Sequence, residues 1–452
     1  MVPEVQAVDA RRGHYDDAVR SGSAGYALAL MVAINFLNYA DRWVASAAAP
    51  QIQRDFHLSD FQVGLLGTAF LLVYAIGAIP FGYWADRGLR RTVIATGVAV
   101  WSCATVFSGL VTSYLQLFIA RAVLGVGEAG YYPAGASLLS DHFPRERRGR
   151  AMSIWNAGSV LGIAAGFAGG GLIAARYGWR TAFFLAAIPG LVLALLAYLM
   201  REPLRGAAEA VGPRLRRARE ATPGSLLRLL RIPTLRWLIV AHTLLYFVLA
   251  ANAFWLPTVL GRRFGLSLGA AGLLSGAVLV VGGLIGTLLG GWIGDRLSHR
   301  RPTGPLEVGI AGFAVAAGTI VVALLGPMSL GGVPVFVPAF FVTVVCVYLY
   351  QGPFTAVAQN VVTPGLRAGA VALLLLIAHV LGDSHSTADV GFLSDQLHSL
   401  PLALLLTSVP LLLLAAGAAA LGLRTVEADM RAMEERWALE RDKGNSVPAL
   451  AP

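Results

Sequence analysis

Charged residues and cysteines are scarce in this chain. Only 13% of its 452 residues are Asp, Glu, Lys or Arg, whereas 56% are hydrophobic. That balance excludes an ordinary soluble domain and indicates a chain that crosses a membrane many times. The two cysteines, Cys103 and Cys346, each lie within an apolar run. The sequence therefore predicts no disulfide framework and no metal site, and we expect no cofactor.

Signatures of ATP-driven or zinc-dependent chemistry are also missing. The sequence contains no Walker loop and no His-Glu-x-x-His pair, so we do not expect an enzyme. The net charge of +10 could suggest a nucleic-acid partner. However, the basic residues lie in short loops between apolar runs, where they determine membrane topology. We therefore expect no nucleic-acid partner.

Apolar runs of about 20 residues, each long enough to cross a bilayer, occur twelve times. They lie near 24–49, 61–84, 93–113, 115–139, 151–175, 179–200, 235–259, 268–292, 306–326, 332–357, 368–392 and 400–423. With the N-terminus inside, 28 of the 35 Lys and Arg residues are cytoplasmic and five are outside. This excess predicts a multi-pass protein of the inner cell membrane with both termini in the cytoplasm.

A long hydrophilic insert follows the sixth run and divides the chain. We predict a six-helix bundle over 1–200, a basic cytoplasmic linker over 201–232 and a second six-helix bundle over 233–424. Residues 425–452 are interpreted as a cytoplasmic amphipathic helix and tail, with a solvated tail as the alternative. The predicted fold is thus an all-α polytopic membrane protein of twelve helices in two pseudo-symmetric bundles.

Two loops of one pattern support an internal duplication. Gly82-x-x-x-Asp86-Arg87 closes the second crossing, and Gly291-x-x-x-Asp295-Arg296 closes the eighth. Matching loops at corresponding places of two halves indicate repeated six-helix units. An aspartate at such a loop can pair with a helix end or an arginine in one conformation only, which would make it a gate.

Charged residues inside the apolar runs are the main functional signal. Asp41 and Arg42 lie in the first crossing, where each costs roughly 2.5–3.5 kcal/mol to insert. Arg121 and Glu128 lie seven residues apart in the fourth crossing, on one helix face and about 10.5 Å apart. Counting from the helix ends places Asp41 level with Arg121, with Glu128 two turns deeper. We predict one buried network; a purely structural charge-pair network is the alternative.

These residues sit within motifs that resemble a known family. The two loops and two six-helix halves look like the major facilitator superfamily, whose members place a central cavity among crossings 1, 4, 7 and 10. The motifs Asn38-Tyr39-Ala40-Asp41-Arg42, Gly125-Val126-Gly127-Glu128-Ala129 and His379-Val-Leu-Gly382-Asp383-Ser-His-Ser386 together resemble bacterial-type homologues of the Spinster-like lipid transporters. The first two motifs also resemble anion:cation symporters. Thr387 stands where the Spinster-like family usually has proline.

The resemblance and the residue chemistry together give a set of expected roles. Proton coupling is assigned to Asp41, Glu128 and His379, although His379 could equally form a helix–helix hydrogen bond. Substrate binding is assigned to Asn38, Tyr39, Arg42, Arg121, Phe254, Phe340 and Tyr348. Gating is assigned to Gly82, Asp86, Arg87, Arg91, Asp295, Arg296 and Asp383.

The expected function is proton-coupled transport of an amphiphilic molecule, such as a lysolipid or sphingolipid, by a monomer in the bilayer. Aromatic residues on crossings 7 and 10 favour an amphiphile. A symporter of a sugar acid is the first alternative, and a membrane receptor or scaffold is the second. Gly158, Gly162, Gly166 and Gly170 in the fifth crossing resemble an antiporter motif, but Phe167 replaces its proline. Close helix packing is the favoured interpretation of these glycines.

Overall fold

The computed structural model describes residues 3–203, 228–330 and 333–445. The first half contains α1 Pro3–Phe56, α2 Asp60–Arg87, α3 Arg90–Leu110, α4 Tyr114–Ala129, α5 Tyr131–His142, α6 Arg145–Tyr177 and α7 Trp179–Leu199. The second half contains α8 Pro233–Phe264, α9 Leu268–Ser298, α10 Gly304–Leu325, α11 Phe336–Tyr348, α12 Gln351–Asn360, α13 Arg367–Ala378, α14 Ser384–Leu397, α15 Leu400–Leu423 and α16 Val426–Asn445. Most of the predicted linker, 204–227, lies outside the described residues.

Short elements complete the second half. A two-stranded antiparallel hairpin, β1 Ser329–Leu330 and β2 Val333–Pro334, follows α10. A 3₁₀ turn, Pro364–Leu366, precedes α13, and a π-helical segment, His379–Asp383, joins α13 to α14. Short turns and loops connect the helices in the parts of the chain that the structure describes.

Eleven helical segments in the described ranges are long and apolar enough to cross a membrane. The predicted fourth crossing is not among these segments and is divided into α4 and α5 at Gly130. Pro133 explains the division: it has no amide hydrogen, and its ring would clash with the carbonyl of the residue four positions earlier. The tenth and eleventh crossings are also interrupted, but each forms one apolar segment, Phe336–Asn360 and Arg367–Leu397. The all-α polytopic fold class is confirmed, with the fourth crossing built from two shorter helices.

The contacts divide the chain into two compact units. As far as these ranges are described, unit 1 contains Met1–His57, Ala69–Arg216 and Leu260–Gly276, and unit 2 contains Leu58–Thr68, Arg217–Val259 and Ala277–Pro452. The start of α2 therefore groups with the second half of the sequence, and the start of α9 groups with the first. A Cβ at Gly272 would clash with the Phe167 carbonyl, which shows how closely α9 packs on α6.

Glycines allow α6 to pack directly on the backbone of α1 in unit 1. A Cβ at Gly158 would lie 2.8 Å from the carbonyl oxygen of Val32. Four glycines, one helical turn apart, oppose four residues of α1 in the same order: Gly158, Gly162, Gly166 and Gly170 face Val32, Phe36, Ala40 and Val44. The close-packing interpretation is confirmed. This packing holds the charged part of α1 in place.

An aromatic and hydrogen-bonded core lies beside that contact. Trp155 Nε1 donates to the Tyr131 hydroxyl at 2.7 Å, and this hydroxyl donates to the Met31 carbonyl at 2.9 Å. Asn35 Nδ2 donates to the Trp155 carbonyl at 2.9 Å. Trp101 is fully buried and contacts the Tyr131 ring edge-on. These contacts join α1, α3, α5 and α6 into one core.

The last helix, α16, begins against the start of α8 in unit 2. Asp429 accepts a hydrogen bond from the Thr234 amide at 2.8 Å, and the Thr234 and Thr425 hydroxyls lie 2.7 Å apart. Val426 is fully buried there. Residues 425–445 thus begin as a docked helix, and the predicted tail beyond 445 lies outside the described residues.

Candidate substrate and proton site

Four charged side chains from α1 and α4 form the buried charge cluster of unit 1: Asp41, Arg42, Arg121 and Glu128. Asp41, Arg121 and Glu128 are each no more than 2% exposed. Arg42 Nη2 donates to Glu128 Oε2 at 2.8 Å. The predicted charges of crossings 1 and 4 are therefore brought together by one direct ion pair. Two arginines and two carboxylates sum to zero when both acids are ionised.

Asp41 is bound by a hydroxyl rather than by an arginine. Thr105 Oγ1 on α3 donates to Asp41 Oδ2 at 2.5 Å, while Oδ1 has no hydrogen-bond partner among the described residues. Our sequence reasoning did not include Thr105. The sequence did contain a signal, because Ser102, Thr105 and Ser108 recur every three residues in an apolar helix. All three are fully buried in the structure.

Arg121 is the least satisfied member of the cluster. Its Nε and Nη1 atoms are buried and have no hydrogen-bond partner within the described part of the chain. Asp41 and Glu128 are within electrostatic range of the guanidinium, but neither forms a direct bond to it in the structure. A buried charged group without hydrogen bonds costs several kcal/mol, roughly, unless another group satisfies it. Arg121 can therefore donate to an added anionic group.

Aromatic rings surround the two arginines of the cluster. The Arg42 guanidinium lies 4.9 Å from the Phe70 ring centroid, 5.0 Å from Tyr39 and 5.1 Å from Tyr74. Arg121 lies 5.1 Å from the same Phe70 ring. Phe70 is thus shared by both cations, a contact that helps to stabilise them when water is excluded. We predicted Tyr39 from the sequence but missed Phe70 and Tyr74, because no charged residue lies between Asp60 and Asp86 of α2 to draw attention to them.

Asn38 lies one turn before Arg42 and completes the polar surface of α1. It is 4% exposed and lies beside Glu128. Together with Asn38, the cluster therefore presents two carboxyl groups, one carboxamide and two guanidinium groups within a single unit. Such a set can bind an anionic headgroup and can also hold a proton on either acid.

The polar set of the eleventh crossing lies in unit 2. His379 Nδ1 is 2.7 Å from Asp383 Oδ2, and His385 Nδ1 is 2.6 Å from Asp389 Oδ2. The His379 ring also contacts Tyr246 edge-on. His379 and Asp383 are thus paired as their i, i+4 spacing predicts, and the His379 side chain is 31% exposed.

The helix break in this crossing lies before Thr387 and needs no proline. The π-helical turn spans His379–Asp383, and a Cβ at Gly382 would clash with the Thr243 carbonyl. Thr387 instead joins helices: its hydroxyl donates to the Gly64 carbonyl at 2.7 Å, and its carbonyl accepts from Trp255 Nε1 at 3.1 Å. The departure from the family pattern thus has a structural role.

The predicted aromatic binding residues of the second half also lie in unit 2. Phe254 is 7% exposed and packs edge-on against Trp255, with ring centroids 5.3 Å apart. Phe340 is 3% exposed and stacks on Phe336 at 5.4 Å. The Tyr348 ring lies against Gly283 of α9. Phe340 and Tyr348 therefore contribute to helix packing.

The first loop with a predicted gating role is organised by Arg90. Its buried guanidinium bonds to Asp141, to Glu202 Oε1 at 3.0 Å and to the Pro203 carbonyl at 3.0 Å. Arg91 donates to the Met200 carbonyl at 3.1 Å, while the Arg87 guanidinium lies over the Tyr83 ring. The Asp86 side chain lies outside the described atoms. The sequence placed Arg90 in this loop, eight residues after Gly82, but did not predict that its side chain is fully buried.

The second gating loop is more exposed. The Asp295 and Arg296 side chains are exposed, and the Arg296 guanidinium lies 4.7 Å from the Trp292 ring. A Cβ at Gly82 would meet no described atom within 4 Å, whereas α12 approaches Gly291 closely: a Cβ at Gly352 would lie 3.4 Å from the Gly291 Cα. Gly290 packs on a neighbouring backbone, against Leu349.

Known proteins agree with this architecture. The model of the Major Facilitator Superfamily matches residues 31–384. An MFS-type efflux pump of Mycolicibacterium smegmatis is 33% identical over 84% of this chain and 87% of that protein. Protein spinster homolog 1 of Xenopus tropicalis is 30% identical over 80% of this chain and 72% of that protein.

Solved structures extend the agreement to three dimensions. A bacterial homologue of the human lysosomal transporter Spinster, crystallised in an inward-facing and unoccupied conformation, superimposes with a TM-score of 0.80. It is 27% identical, and the match covers 90% of this chain and 98% of that one. The nucleoside transporter NupG shares the fold, with a TM-score of 0.67 and 12% identity.

The chain therefore belongs to the major facilitator superfamily, a class of secondary transporters for small molecules. Within that class it is Spinster-like, as the sequence motifs predicted. It is a transporter and not an enzyme.

Proposed function

We propose that this protein is a proton-coupled secondary transporter of an amphiphilic small molecule, lysolipid-like or sphingolipid-like, and that it works by alternating access. The buried charge cluster is the observation that carries the proposal. Ionised groups in the apolar interior of a membrane bundle are costly and commonly mark substrate or proton pathways. A cluster with unsatisfied donors and two acids suits both a proton and an anionic headgroup.

Proton coupling is assigned to Asp41 and Glu128, with His379 as a second candidate. The protonation of a buried carboxyl depends on its solvation and on nearby positive charge. Alternating access changes both quantities, because one conformation admits water and the other excludes it. An acid that is paired with Arg42 in one conformation and separated from it in another would gain and lose a proton once in each cycle.

Substrate binding is assigned to the two arginines and to aromatic residues. Arg121 would bind the anionic part of the substrate through its unpartnered nitrogens, together with Arg42, Asn38 and Tyr39. For an apolar tail, we retain the sequence assignment of Phe254, Phe340 and Tyr348 of crossings 7 and 10 as the aromatic candidates. The few charges on these two crossings favour an amphiphile over a small hydrophilic anion. The names of the Spinster relatives agree with a Spinster-like transporter and leave the cargo open.

Gating is assigned to the two repeated loops and to Asp383. Asp86 and Asp295 would each pair in one conformation, with Arg87, Arg91 and Arg296 as the available cations and Gly82 at the helix end. We further propose an inner-membrane location with cytoplasmic termini, on the basis of the loop charges. We also propose a monomer, because one chain contains both predicted six-helix halves.

The decisive experiment is uptake in proteoliposomes with an imposed pH gradient. Glu128→Gln and Asp41→Asn should each abolish pH-dependent uptake of a fluorescent lysolipid, because an amide cannot exchange a proton. Without a pH gradient, exchange of the lysolipid across the membrane should persist at a reduced rate. The size-exclusion profiles of both variants should match that of the wild type.

A matched control uses a carboxylate outside the cluster. Asp429→Asn removes a carboxylate at the start of α16 and should leave the pH dependence unchanged. Normal gradient-driven uptake by both cluster variants would exclude these acids as the coupling groups.

The alternative is a proton-driven symporter of a sugar acid or another small organic anion. The same charge cluster favours it, because Arg42 and Arg121 would bind a carboxylate equally well. A competition experiment separates the two functions. An excess of unlabelled lysolipid should block uptake of the fluorescent lysolipid, and an excess of sugar acid should not. Block by the sugar acid alone would favour the symporter.

A further inference from the structure

We propose that the membrane-facing surface of unit 1 contains a binding site for one phospholipid of the bilayer, separate from the buried charge cluster. Two adjoining cavities form it, and the same three helices, α1, α6 and α7, line both. We call them the acyl groove and the interface pocket. The groove would hold one fatty-acyl chain, and the pocket would hold the phosphate.

The acyl groove has a volume of about 670 Å³, and every residue that lines it is apolar. It runs over 33–44 of α1, 165–173 of α6 and 182–193 of α7. Eleven residues of helix correspond to about 16 Å. Half of a hydrocarbon core of about 30 Å is similar in length. The groove therefore matches the chain of a lipid in a single leaflet.

Small residues make the groove deep, and its edge is open to the membrane. Gly166 and Gly170 pack against α1 and leave the floor without side chains. A Cβ at Gly169 would meet no described atom within 4 Å, so the space above it is empty. Leu185 and Val192 on α7 are 50% and 56% exposed. In a chain that crosses a bilayer, such an opening faces hydrocarbon.

The interface pocket lies where α1 ends and α6 turns into α7, and its volume is about 470 Å³. Arg54, Asp55 and Arg180 line it, together with Tyr177 and Trp179. Asp55 accepts from Arg180 Nη1 at 3.1 Å and from Trp179 Nε1 at 2.6 Å.

The charges of this pocket favour an anionic headgroup. One carboxylate against two guanidinium groups leaves one net positive charge. Arginine binds phosphate oxygens through paired N–H groups. Tyrosine and tryptophan prefer the level of lipid headgroups.

Along the helices, the interface pocket is followed by the acyl groove, just as the headgroup of a lipid is followed by its acyl chain. On α7, Arg180 of the pocket precedes Ala182 of the groove by two residues, about 3 Å along the axis. On α1, Val44 of the groove and Gln51 of the pocket are separated by about 10.5 Å. A phosphate near Arg54 and Arg180 would therefore continue directly into an acyl chain. We assign the site to a diacyl phospholipid with an anionic headgroup.

Native mass spectrometry tests the proposal on the purified full-length protein. The probe is a nanodisc containing equal amounts of phosphatidylglycerol and phosphatidylcholine, followed by transfer to detergent. The wild type should retain one phosphatidylglycerol. Gly169→Leu should reduce that occupancy by about tenfold or more, because filling the groove displaces at least two methylenes at about 0.8 kcal/mol each. Arg54→Gln should reduce the preference for phosphatidylglycerol and leave total lipid binding largely unchanged.

The control is Gly417→Leu, at an exposed glycine of α15 where a Cβ also meets no described atom within 4 Å. It should retain lipid as the wild type does. Equal lipid retention by Gly169→Leu and the wild type would overturn the proposal. A parallel nanodisc containing lysophosphatidylglycerol distinguishes resident lipid from cargo. Retention of the lysolipid but of neither diacyl lipid would also overturn it, because the groove would then be a cargo site.

Discussion

The two gating loops share a sequence pattern but differ in their surroundings. In the first loop, Arg90 is fully buried and bonds to Asp141, Glu202 and backbone carbonyls of unit 1. His299 occupies the corresponding position in the second loop. It is exposed, and its Nδ1 bonds at 2.6 Å to the carbonyl of Asp295 in its own helix.

The comparison shows that two loops with the same sequence pattern can make very different contacts. In unit 1 the loop is joined to the ends of α5 and α7 through a buried cation, and the same unit contains the charge cluster. In unit 2 the loop is bound mainly within its own turn, and Arg301 pairs with Glu307 at 2.7 Å. We infer that the first loop is a structural element, in addition to the gating role that we propose for it.

The largest expected effect is on stability. Arg90→Ala should lower the free energy of unfolding by about 3 kcal/mol, because it leaves Asp141 and Glu202 facing each other without their buried cation. Thermal unfolding in detergent, followed by fluorescence-detected size exclusion, measures the change. The matched variant His299→Ala should have little effect, since that side chain is exposed. Equal losses from both variants would show that the loops do not differ in this way.

A second effect should appear in ligand selectivity. Arg121→Ala should weaken binding of an anionic amphiphile by about tenfold or more, because a charge-assisted hydrogen bond contributes about 1.5–3 kcal/mol. Binding of a neutral amphiphile with the same tail should change less. Microscale thermophoresis with both ligands tests this. Asn252→Ala removes a buried polar group of unit 2 and serves as the control. An equal loss for both ligands would argue against a headgroup role.

The smallest effect concerns the conformational equilibrium. Asp86→Asn should shift the population towards the inward-facing state by a few-fold, because it removes an interaction that we place in the outward-facing state. Asp295→Asn should produce a smaller shift, as its loop has fewer partners. Spin-label distances on the cytoplasmic side measure both. No shift with Asp86→Asn would remove the gating role of that residue.

Much of the fold could be read from hydropathy and loop charge, since apolar length alone predicted the crossings. The division of the fourth crossing at Gly130 was not predicted, although Pro133 was a visible signal. The grouping of the start of α2 with unit 2 was also missed. Asp395 accepts hydrogen bonds from the amides of Asp60 and Phe61 at 2.9 Å each. A contact across 334 positions of sequence leaves no local pattern.

For the candidate site, the charged residues were predictable and their partners were not. Asp41, Arg42, Arg121 and Glu128 stood out because charge is costly in an apolar segment. Thr105 and Phe70 are chemically ordinary in a membrane helix, so composition could not distinguish them. They matter because of where the fold places them: Thr105 bonds to Asp41, and the Phe70 ring contacts both arginines.

By itself, the sequence determined the all-α polytopic fold class and the four charged residues within apolar runs. These features depend on hydrophobicity and on charge, which act on each segment separately. Only the tertiary structure decided that Arg42 pairs with Glu128, that Thr105 binds Asp41 and that Arg121 retains free donors. Hydrogen bonds require a partner within about 3 Å, and helix packing selects which side chains come that close.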